Sequence, residues 1–402
     1  MATLHYYHVL ATLLAALIIA YTTSTVRYST TLINRLGVSL CGVVRLCLLA
    51  IASPVLKWTV MKWWKRDKPT DVYGLQHGML HLQAQTAMWM NMGYWKNATT
   101  STTMGEACRD LLSVVLAEAG FCQELEQIEI EKGMRRTKCL IDLGVGCGDQ
   151  TVYLMSHSPV SPSDGTWWDA REHCVKFDRY VGITNDATQA QYASGRITDL
   201  QNQFRNMKKR DADGSDEPDI VLFCADAARP ELWDKQLQAS VQRSRQATQE
   251  CWVLALDTAY HFAPSRWQLI HHARQNLNAS FMAFDLCISP TAKVFQRLML
   301  RCLTTLMGAP WSNFMTPVDY RSKLVQAGYF EGNVSITDVS EHVFLPLADF
   351  LERQDKRLAM LGLSIGTLAI AKSMFAWWGR TGVVRGIIVV ARYSEEGSHK
   401  PA

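Results

Sequence analysis

The chain carries one glycine-rich turn, Cys139-Leu-Ile-Asp142-Leu-Gly144-Val-Gly146-Cys-Gly148-Asp149-Gln150. A short apolar run ends at Leu143 and is followed by three glycines at alternate positions. Glycine allows a positive φ and lets a ligand approach the main chain closely. The stretch therefore predicts a β-strand that ends in a ligand-binding turn.

The spacing of these glycines disfavours a dinucleotide. The fingerprint G-x-G-x-x-G would need a glycine at position 149 or 151, and Asp149 and Thr151 stand there. A nicotinamide-dependent oxidoreductase is disfavoured for the same reason. Without phosphates to bind, an acid at the start of the turn is tolerable, and we expect Asp142 to organise the amides of the loop.

Strand-like and helix-like segments alternate on both sides of the turn. Such alternation predicts parallel pairing and a doubly wound sheet. The expected strands are 139–143, 180–184, 220–224, 252–256, 281–286, 334–337 and 386–391. The expected helices are 104–119, 187–197, 265–277 and 317–328.

The pattern D-x-G-x-G-x-G resembles motif I of the class I S-adenosylmethionine-dependent methyltransferases. Further segments resemble this family in the order that the family requires, over about residues 75–392: 180–190 at the second strand, 225–227 at the third, 90–95 as the N-G-Y-W segment and 317–329 as the late helix. The resemblance implies an α/β fold, a Rossmann-like, doubly wound seven-stranded methyltransferase sheet. It also implies S-adenosyl-L-methionine as the cofactor, and no metal.

The resemblance also implies where the cofactor binds. The family's third strand ends in an acid that accepts from the adenine amino group, here Asp226, and its N-G-Y-W segment closes over the methionine part. Where many members have an acid for the ribose, this chain has Thr184 and Asn185. The full predicted set is Asp142, Gly144, Gly146, Gly148, Gln150, Thr184, Asn185, Gln189, Asp226, Ala227, Tyr94 and Trp95.

The reacting groups are expected after the fourth and fifth strands. Ligands of open α/β sheets bind outside the carboxyl ends of the strands, and these two strands are neighbours in the family's sheet. Asp257, Tyr260, His261 and Asp285 should therefore converge beside the methyl donor. We expect His261 to act as the general base, with Asp285 or Asp257 orienting it. The alternative is a structural histidine at the strand end.

The N-terminal residues favour membrane attachment. An apolar stretch from Val9 to about Val26 is just long enough to span a bilayer, and it lacks the basic start and the cleavage site of a signal peptide. The stretch from Leu36 to Val60 contains Arg45 and Pro54, so it either crosses or lies half-embedded. Lysines and tryptophans at 57–68 belong at the headgroup level on the cytosolic side.

These features predict two regions. Residues 1–68 form a membrane anchor with a basic, tryptophan-rich juxtamembrane stretch, and residues 69–402 form a methyltransferase domain. We expect the protein in a membrane, that of the endoplasmic reticulum, with the catalytic domain facing the cytosol.

Residues 343–379 form an apolar, helix-like insertion before the closing strand. The unbroken apolar part, Leu358–Ala371, is too short to span a bilayer. It either covers the acceptor site and dips into the membrane or is a simple buried helix. Together with the anchor it predicts a hydrophobic small-molecule or lipid acceptor and a membrane as partners. O-methylation is the leading expectation; C- or N-methylation of a lipid, a sterol or a headgroup, and a non-catalytic scaffold, are the alternatives.

The amino-acid composition excludes some classes of protein. The 402 residues are 48% apolar and 19% charged, which excludes a disordered chain. A net charge of +4 without a long basic patch gives no reason to expect nucleic-acid binding. Eleven cysteines without a C-x-x-C pair indicate reduced thiols and a cytosol-facing domain.

Overall fold

A seven-stranded β-sheet forms the centre of the structure, a computed structural model that describes residues 87–121, 135–156, 177–208 and 219–394. All seven predicted strands are present, with ends within two residues of those expected. Their order across the sheet is 3-2-1-4-5-7-6. The strands are β1 (Lys138–Leu143), β2 (Arg179–Thr184), β3 (Asp219–Cys224), β4 (Glu250–Leu256), β5 (Ser280–Ile288), β6 (Val334–Asp338) and β7 (Val384–Ala391).

The pairing of β7 corrects the expectation of a wholly parallel sheet. Strands β1 to β5 pair in parallel, whereas β7 runs antiparallel to both β5 and β6. Two helices connect β6 to β7, and they return the chain to the same end of the strands at which β6 finishes. The closing strand must therefore run in the opposite direction.

Helices cover both faces of the sheet. On β1, Leu140 belongs to the hydrophobic core on one face and Ile141 to the core on the other, so all six residues of the strand are buried. This explains why the strand is apolar apart from Lys138 and Asp142. The described helices are α1 (Met104–Glu118), α2 (Asp149–Met155), α3 (Ala187–Lys208), α4 (Lys235–Gln246), α5 (Trp267–Gln275), α6 (Val294–Leu306), α7 (Pro317–Gln326), α8 (Phe344–Met360) and α9 (Leu368–Thr381).

The apolar insertion is a helical hairpin rather than one helix. Its segment 358–371 spans the turn between α8 and α9. Phe344, Leu347 and Trp378 are buried at the base of the hairpin, and Lys372 on α9 forms a salt bridge of 2.6 Å with Glu352 on α8. The hairpin is therefore anchored at its base and cross-linked by charge, while its tip lies further from the core.

The predicted membrane anchor, residues 1–68, lies outside the described residues. Within the described ranges, no helix has both the length and the apolar character needed to cross a bilayer. All described residues belong to one unit, Leu75–Ala402.

Candidate functional site

A cavity of about 540 Å³ opens at the carboxyl ends of the parallel strands. It lies where the strand order reverses between β1 and β4, the usual ligand site of an open α/β sheet. Its volume is within the range of pockets that bind small molecules. The lining comprises Met88, Trp89, Met90, Asn91, Gly144, Val145, Gly146, Cys147, Asp149, Gln150, Thr184, Asn185, Gln189, Asp226, Ala227, Leu256, Asp257, Thr258, Tyr260, His261, Phe262, Ala263 and Gly308.

The glycine-rich turn forms the floor of this cavity. Gly144, Gly146 and Gly148 all have positive φ angles, of 77°, 57° and 86°. A Cβ atom on Gly144 would lie 2.7 Å from the Thr258 Oγ1 atom, so the turns after β1 and β4 meet there. Gly146 has no neighbour nearer than 3.5 Å to such an atom. The turn thus presents bare main chain to the cavity.

Asp142 organises the turn, but through side chains rather than through loop amides. Its carboxylate is fully buried and accepts hydrogen bonds from the Gln150 side chain at 2.6 and 2.7 Å. The Tyr180 hydroxyl donates to it as well. Burial raises the pKa of Asp142 to about 7, although these hydrogen bonds act to lower it. Of the pair, Gln150 lines the cavity and Asp142 supports it from below.

The predicted adenosine-binding residues lie together on one wall. Thr184, Asn185, Gln189, Asp226 and Ala227 all line the cavity. The Thr184 hydroxyl donates to the Gln189 side chain at 3.3 Å. The Asp226 carboxylate accepts from the Ala228 N–H at 2.9 Å and pairs with Arg229 at 2.7 Å. This wall therefore carries several polar groups at one edge of the sheet.

The N-G-Y-W segment reaches the cavity through different residues from those predicted. Residues 88–91 line it, whereas Tyr94 and Trp95 do not. The Trp95 indole is buried, donates to the Met92 carbonyl at 2.9 Å and lies 4.8 Å from the Phe350 ring. Its apolar surface belongs to the core, where α8 covers it.

Two aspartates hold this segment over the cavity. The Asp149 carboxylate accepts from the Met88 N–H at 3.0 Å, and the Asp257 carboxylate accepts from the Met92 N–H at 2.7 Å. Asp149 is also paired with Arg196 at 2.8 Å. Sequence reasoning missed Asp149, because nothing in its local pattern indicates a backbone partner 61 residues away.

Asp257 and Asp149 each have one buried carboxylate oxygen without a hydrogen-bond partner among the described residues, and Asp257 differs from Asp149 in having no arginine partner there. Its φ is +58°, and its Oδ1 atom is buried with no hydrogen-bond partner among the described residues. Burial raises its pKa to about 7, although hydrogen bonds from Tyr260 and from the Met92 N–H act to lower it. Within the described structure, Asp149 and Asp226 each have an arginine partner and Asp257 has none.

Tyr260 and His261 lie on a short 3₁₀ helix, Ala259–His261, at the cavity. The Tyr260 ring is buried, and the His261 ring lies 4.3 Å from it. Burial lowers the pKa of His261, with the charge of Asp285 opposing this effect. The imidazole is therefore neutral near pH 7 and can accept a proton.

The predicted orienting contacts to His261 are absent from the described residues. Asp285 is fully buried away from the cavity, where it pairs with Arg266 and accepts from the Tyr320 hydroxyl at 2.9 Å. Asp257 binds Met92 and Tyr260 instead. Asp285 therefore lies in a buried ion pair with Arg266 and does not line the cavity.

Other expectations concern what surrounds the cavity. No residue of the 343–379 insertion lines it, so covering of the acceptor site is not seen in the described residues. Among those residues there is also no group of three His, Cys, Asp or Glu side chains that could hold a metal ion.

No family model and no curated protein sequence matches the chain. Several solved structures resemble it. The cyclopropane synthase MmaA2 from Mycobacterium tuberculosis is 12% identical, with a TM-score of 0.45 over 75% of this chain and 89% of that one. The geranyl diphosphate C-methyltransferase from Streptomyces coelicolor A3(2), determined with Mg²⁺, geranyl diphosphate and S-adenosyl-L-homocysteine, is 14% identical, with a TM-score of 0.41 over 83% and 96%.

An O-methyltransferase from a trans-AT polyketide synthase multienzyme of Brevibacillus brevis, in complex with S-adenosyl-L-homocysteine, is 13% identical. Its TM-score is 0.40 over 77% of this chain and 86% of that one. Because these similarities are low, the function is inferred from the residues that line the cavity.

Proposed function

We propose that the chain is an S-adenosylmethionine-dependent methyltransferase that methylates a hydrophobic small molecule or lipid at a membrane surface. One observation carries the proposal: the cavity combines a bare glycine turn with three aspartates, and no lysine or arginine is among its described lining residues. A diphosphate would lack a cationic partner there. Since Asp149 and Asp226 are paired with arginines, Asp257 is the carboxylate that a sulfonium or ammonium group would meet.

The residues present fit this cofactor. Gly144 and Gly146 line the cavity, and Gly146 leaves room that a side chain would fill. Gly148 does not line it, because its Cβ position is closed by Ala193 of α3 at 3.0 Å. The unpartnered Asp257 Oδ1 atom would take a positive group, and Thr184, Gln189 and Asp226 would take hydroxyl and amino groups. When bound, S-adenosylmethionine supplies an activated methyl group.

The chain itself supplies orientation and a proton acceptor. An alcohol acceptor must lose its proton during transfer, and the neutral His261 imidazole at the cavity can take it. Residues 88–91, held by Asp149 and Asp257, form one wall of the cavity. This arrangement supports O-methylation over transfer to a carbon that needs no base at this position.

Ligand binding to the full chain tests the proposal. At a concentration of 100 times its dissociation constant, S-adenosylhomocysteine should stabilise the fold by about 2.7 kcal/mol in a thermal-shift assay, and NADH should not. Gly146→Ala should weaken this binding because φ there is +57°. Gly195→Ala, on the exposed side of α3 with nothing within 4 Å of its Cβ, should not. Stabilisation by NADH alone would overturn the proposal.

The membrane setting is a proposal from the N-terminal sequence. Anchor segments within 1–68 would hold the domain at the endoplasmic reticulum with residues after 68 in the cytosol. Imaging of the tagged full chain should show this membrane, and a C-terminal tag should be digested by protease added to intact microsomes. A protected tag would reverse the predicted orientation.

A further inference from the structure

We infer that helix α6 and the tip of the α8–α9 hairpin form a docking surface for an anionic lipid bilayer, beside the mouth of the cavity. The docking surface consists of Val294, Phe295 and Leu298 on α6 and Met360, Leu368 and Ile370 at the hairpin tip. The inference rests on the proposed function in one respect, the lipophilic acceptor, which would enter the cavity from this side.

The apolar side chains of α6 are unusually exposed. Val294 is 85% exposed, Phe295 65% and Leu298 60%. These three lie within one turn and a neighbouring position of the same helix, so they form one continuous face. A cluster of large exposed apolar side chains marks an interaction site rather than ordinary surface.

The basic side chains on and beside α6 favour an anionic membrane as the partner of this helix. Lys293, Arg297 and Arg301 are exposed on or beside the same helix, and none of them takes part in a salt bridge among the described residues. No Asp or Glu occurs between Asp285 and Asp319. A helix with apolar and basic faces and no acid lies stably at the surface of an anionic membrane.

The tip of the hairpin adds a second group of exposed apolar side chains. Met360 is 63% exposed, Leu368 52% and Ile370 73%. Strand β6 runs in the direction of β5, because both are antiparallel to β7. The hairpin that follows β6 therefore begins at the carboxyl ends of the parallel strands. Helix α6, which follows β5, begins at the same ends.

The cavity opens at these ends of the strands. Gly308, two residues after α6, lines the cavity, and the cavity-lining Met90 is itself 63% exposed. A bilayer against the docking surface would thus lie next to the cavity mouth. A lipophilic acceptor could pass from the membrane to His261 with little exposure to water.

Photolabelling by lipid tests the docking surface. The full chain is placed in nanodiscs of phosphatidylcholine, with and without phosphatidylserine, that contain a phosphatidylcholine with a photoactivatable acyl chain. We expect label on peptides that contain 294–301 and 360–370, rising severalfold with phosphatidylserine. Phe295→Ser with Leu298→Ser should remove most of the α6 label, and Arg297→Gln with Arg301→Gln should remove its dependence on phosphatidylserine.

Phe330→Ser is the matched control. Phe330 is 58% exposed, but it lies at the other end of the strands. The hydroxyl of the preceding Tyr329 donates to the Ala279 carbonyl, just before the amino end of β5. Its peptide should carry little label, and its substitution should leave the α6 label unchanged. Equal label on the α6 and Phe330 peptides, or no label on the α6 peptide, would overturn the inference.

The experiment separates this inference from the proposed function. Photolabelling requires no turnover, and the thermal shift with S-adenosylhomocysteine reports the cofactor site independently. An unchanged thermal shift in each surface variant shows that the variant is folded. Lipid labelling without cofactor binding would leave the docking surface standing and remove the methyltransferase proposal.

Discussion

Asp257 concentrates the unusual features of the site in one residue. A non-glycine residue at a φ of +58° carries strain, on the order of 1–3 kcal/mol. Its carboxylate is buried, and one oxygen has no partner among the described residues. Strain and an unsatisfied charge persist where a ligand uses them, which is why we place a positive group of the cofactor against this side chain.

The titration of Asp257 should make cofactor affinity depend on pH. Its pKa of about 7 means that the carboxylate gains its charge as the pH rises through 7. Affinity for S-adenosylmethionine should therefore rise up to about tenfold between about pH 6 and pH 8, as the ionised fraction grows. Isothermal titration calorimetry at several pH values measures this. In Asp257→Asn the rise should disappear; an equal rise in that variant would assign the effect to another group.

His261 should matter for the rate and not for cofactor binding. A positioned general base contributes roughly 10²–10⁴-fold to such a reaction, so His261→Ala should lose that factor in methyl transfer. S-adenosylhomocysteine should still bind. His271→Ala, on α5 and outside the cavity, is the control and should keep the wild-type rate. Unchanged turnover in His261→Ala would remove His261 from the mechanism.

At the scale of elements, the turn after β1 depends on its glycines. A side chain on Gly144 would meet Thr258 of the turn after β4 at 2.7 Å while holding a φ of +77°. We expect Gly144→Ala to lower the free energy of unfolding by about 1–3 kcal/mol and to weaken cofactor binding.

Gly195 provides the matched comparison for that substitution. It lies inside α3 without a positive φ, and its Cβ position is open. Gly195→Ala should raise the free energy of unfolding by roughly 0.5–1 kcal/mol, because alanine favours the helix. Urea denaturation of both variants measures the contrast, and effects of the same sign would contradict this account of the turn.

At the scale of the whole molecule, Asp285 joins separate parts of the chain. It connects β5 with Arg266 before α5 and with Tyr320 on α7. Removing one partner of a buried ion pair leaves an uncompensated charge and costs about 3–5 kcal/mol. Asp285→Ala should lower the free energy of unfolding by that amount in chemical denaturation.

An exposed pair is the control for Asp285. Arg179 and Asp219 form a salt bridge of 2.6 Å with side chains 29% and 47% exposed, so Asp219→Ala should cost about 1 kcal/mol or less. If Asp285→Ala kept wild-type stability and lost only methyl transfer, this account would be wrong. The result would then support the catalytic role predicted for Asp285 from the sequence.

The sequence by itself determined the seven strands and the glycine turn after the first. All the strands except β6, which alternates apolar and polar residues, are mainly apolar local segments. Gly144, Gly146 and Gly148 take the positive φ angles that their residue type permits. These features follow from neighbours in the chain, so a single sequence contains the information. Asp257, Tyr260 and His261 lie within five residues directly after β4, so their common place at the cavity also follows from local sequence.

Only the tertiary structure decided which side chains are buried in the core and which line the cavity. Trp95 is covered by Phe350, and Asp285 is neutralised by Arg266, so neither reaches the cavity. The direction of β7 depended likewise on the two-helix connection before it. Such outcomes depend on partners that are far away in the sequence. An aromatic side chain is buried where other apolar side chains cover it, and a charged side chain is buried where an opposite charge neutralises it.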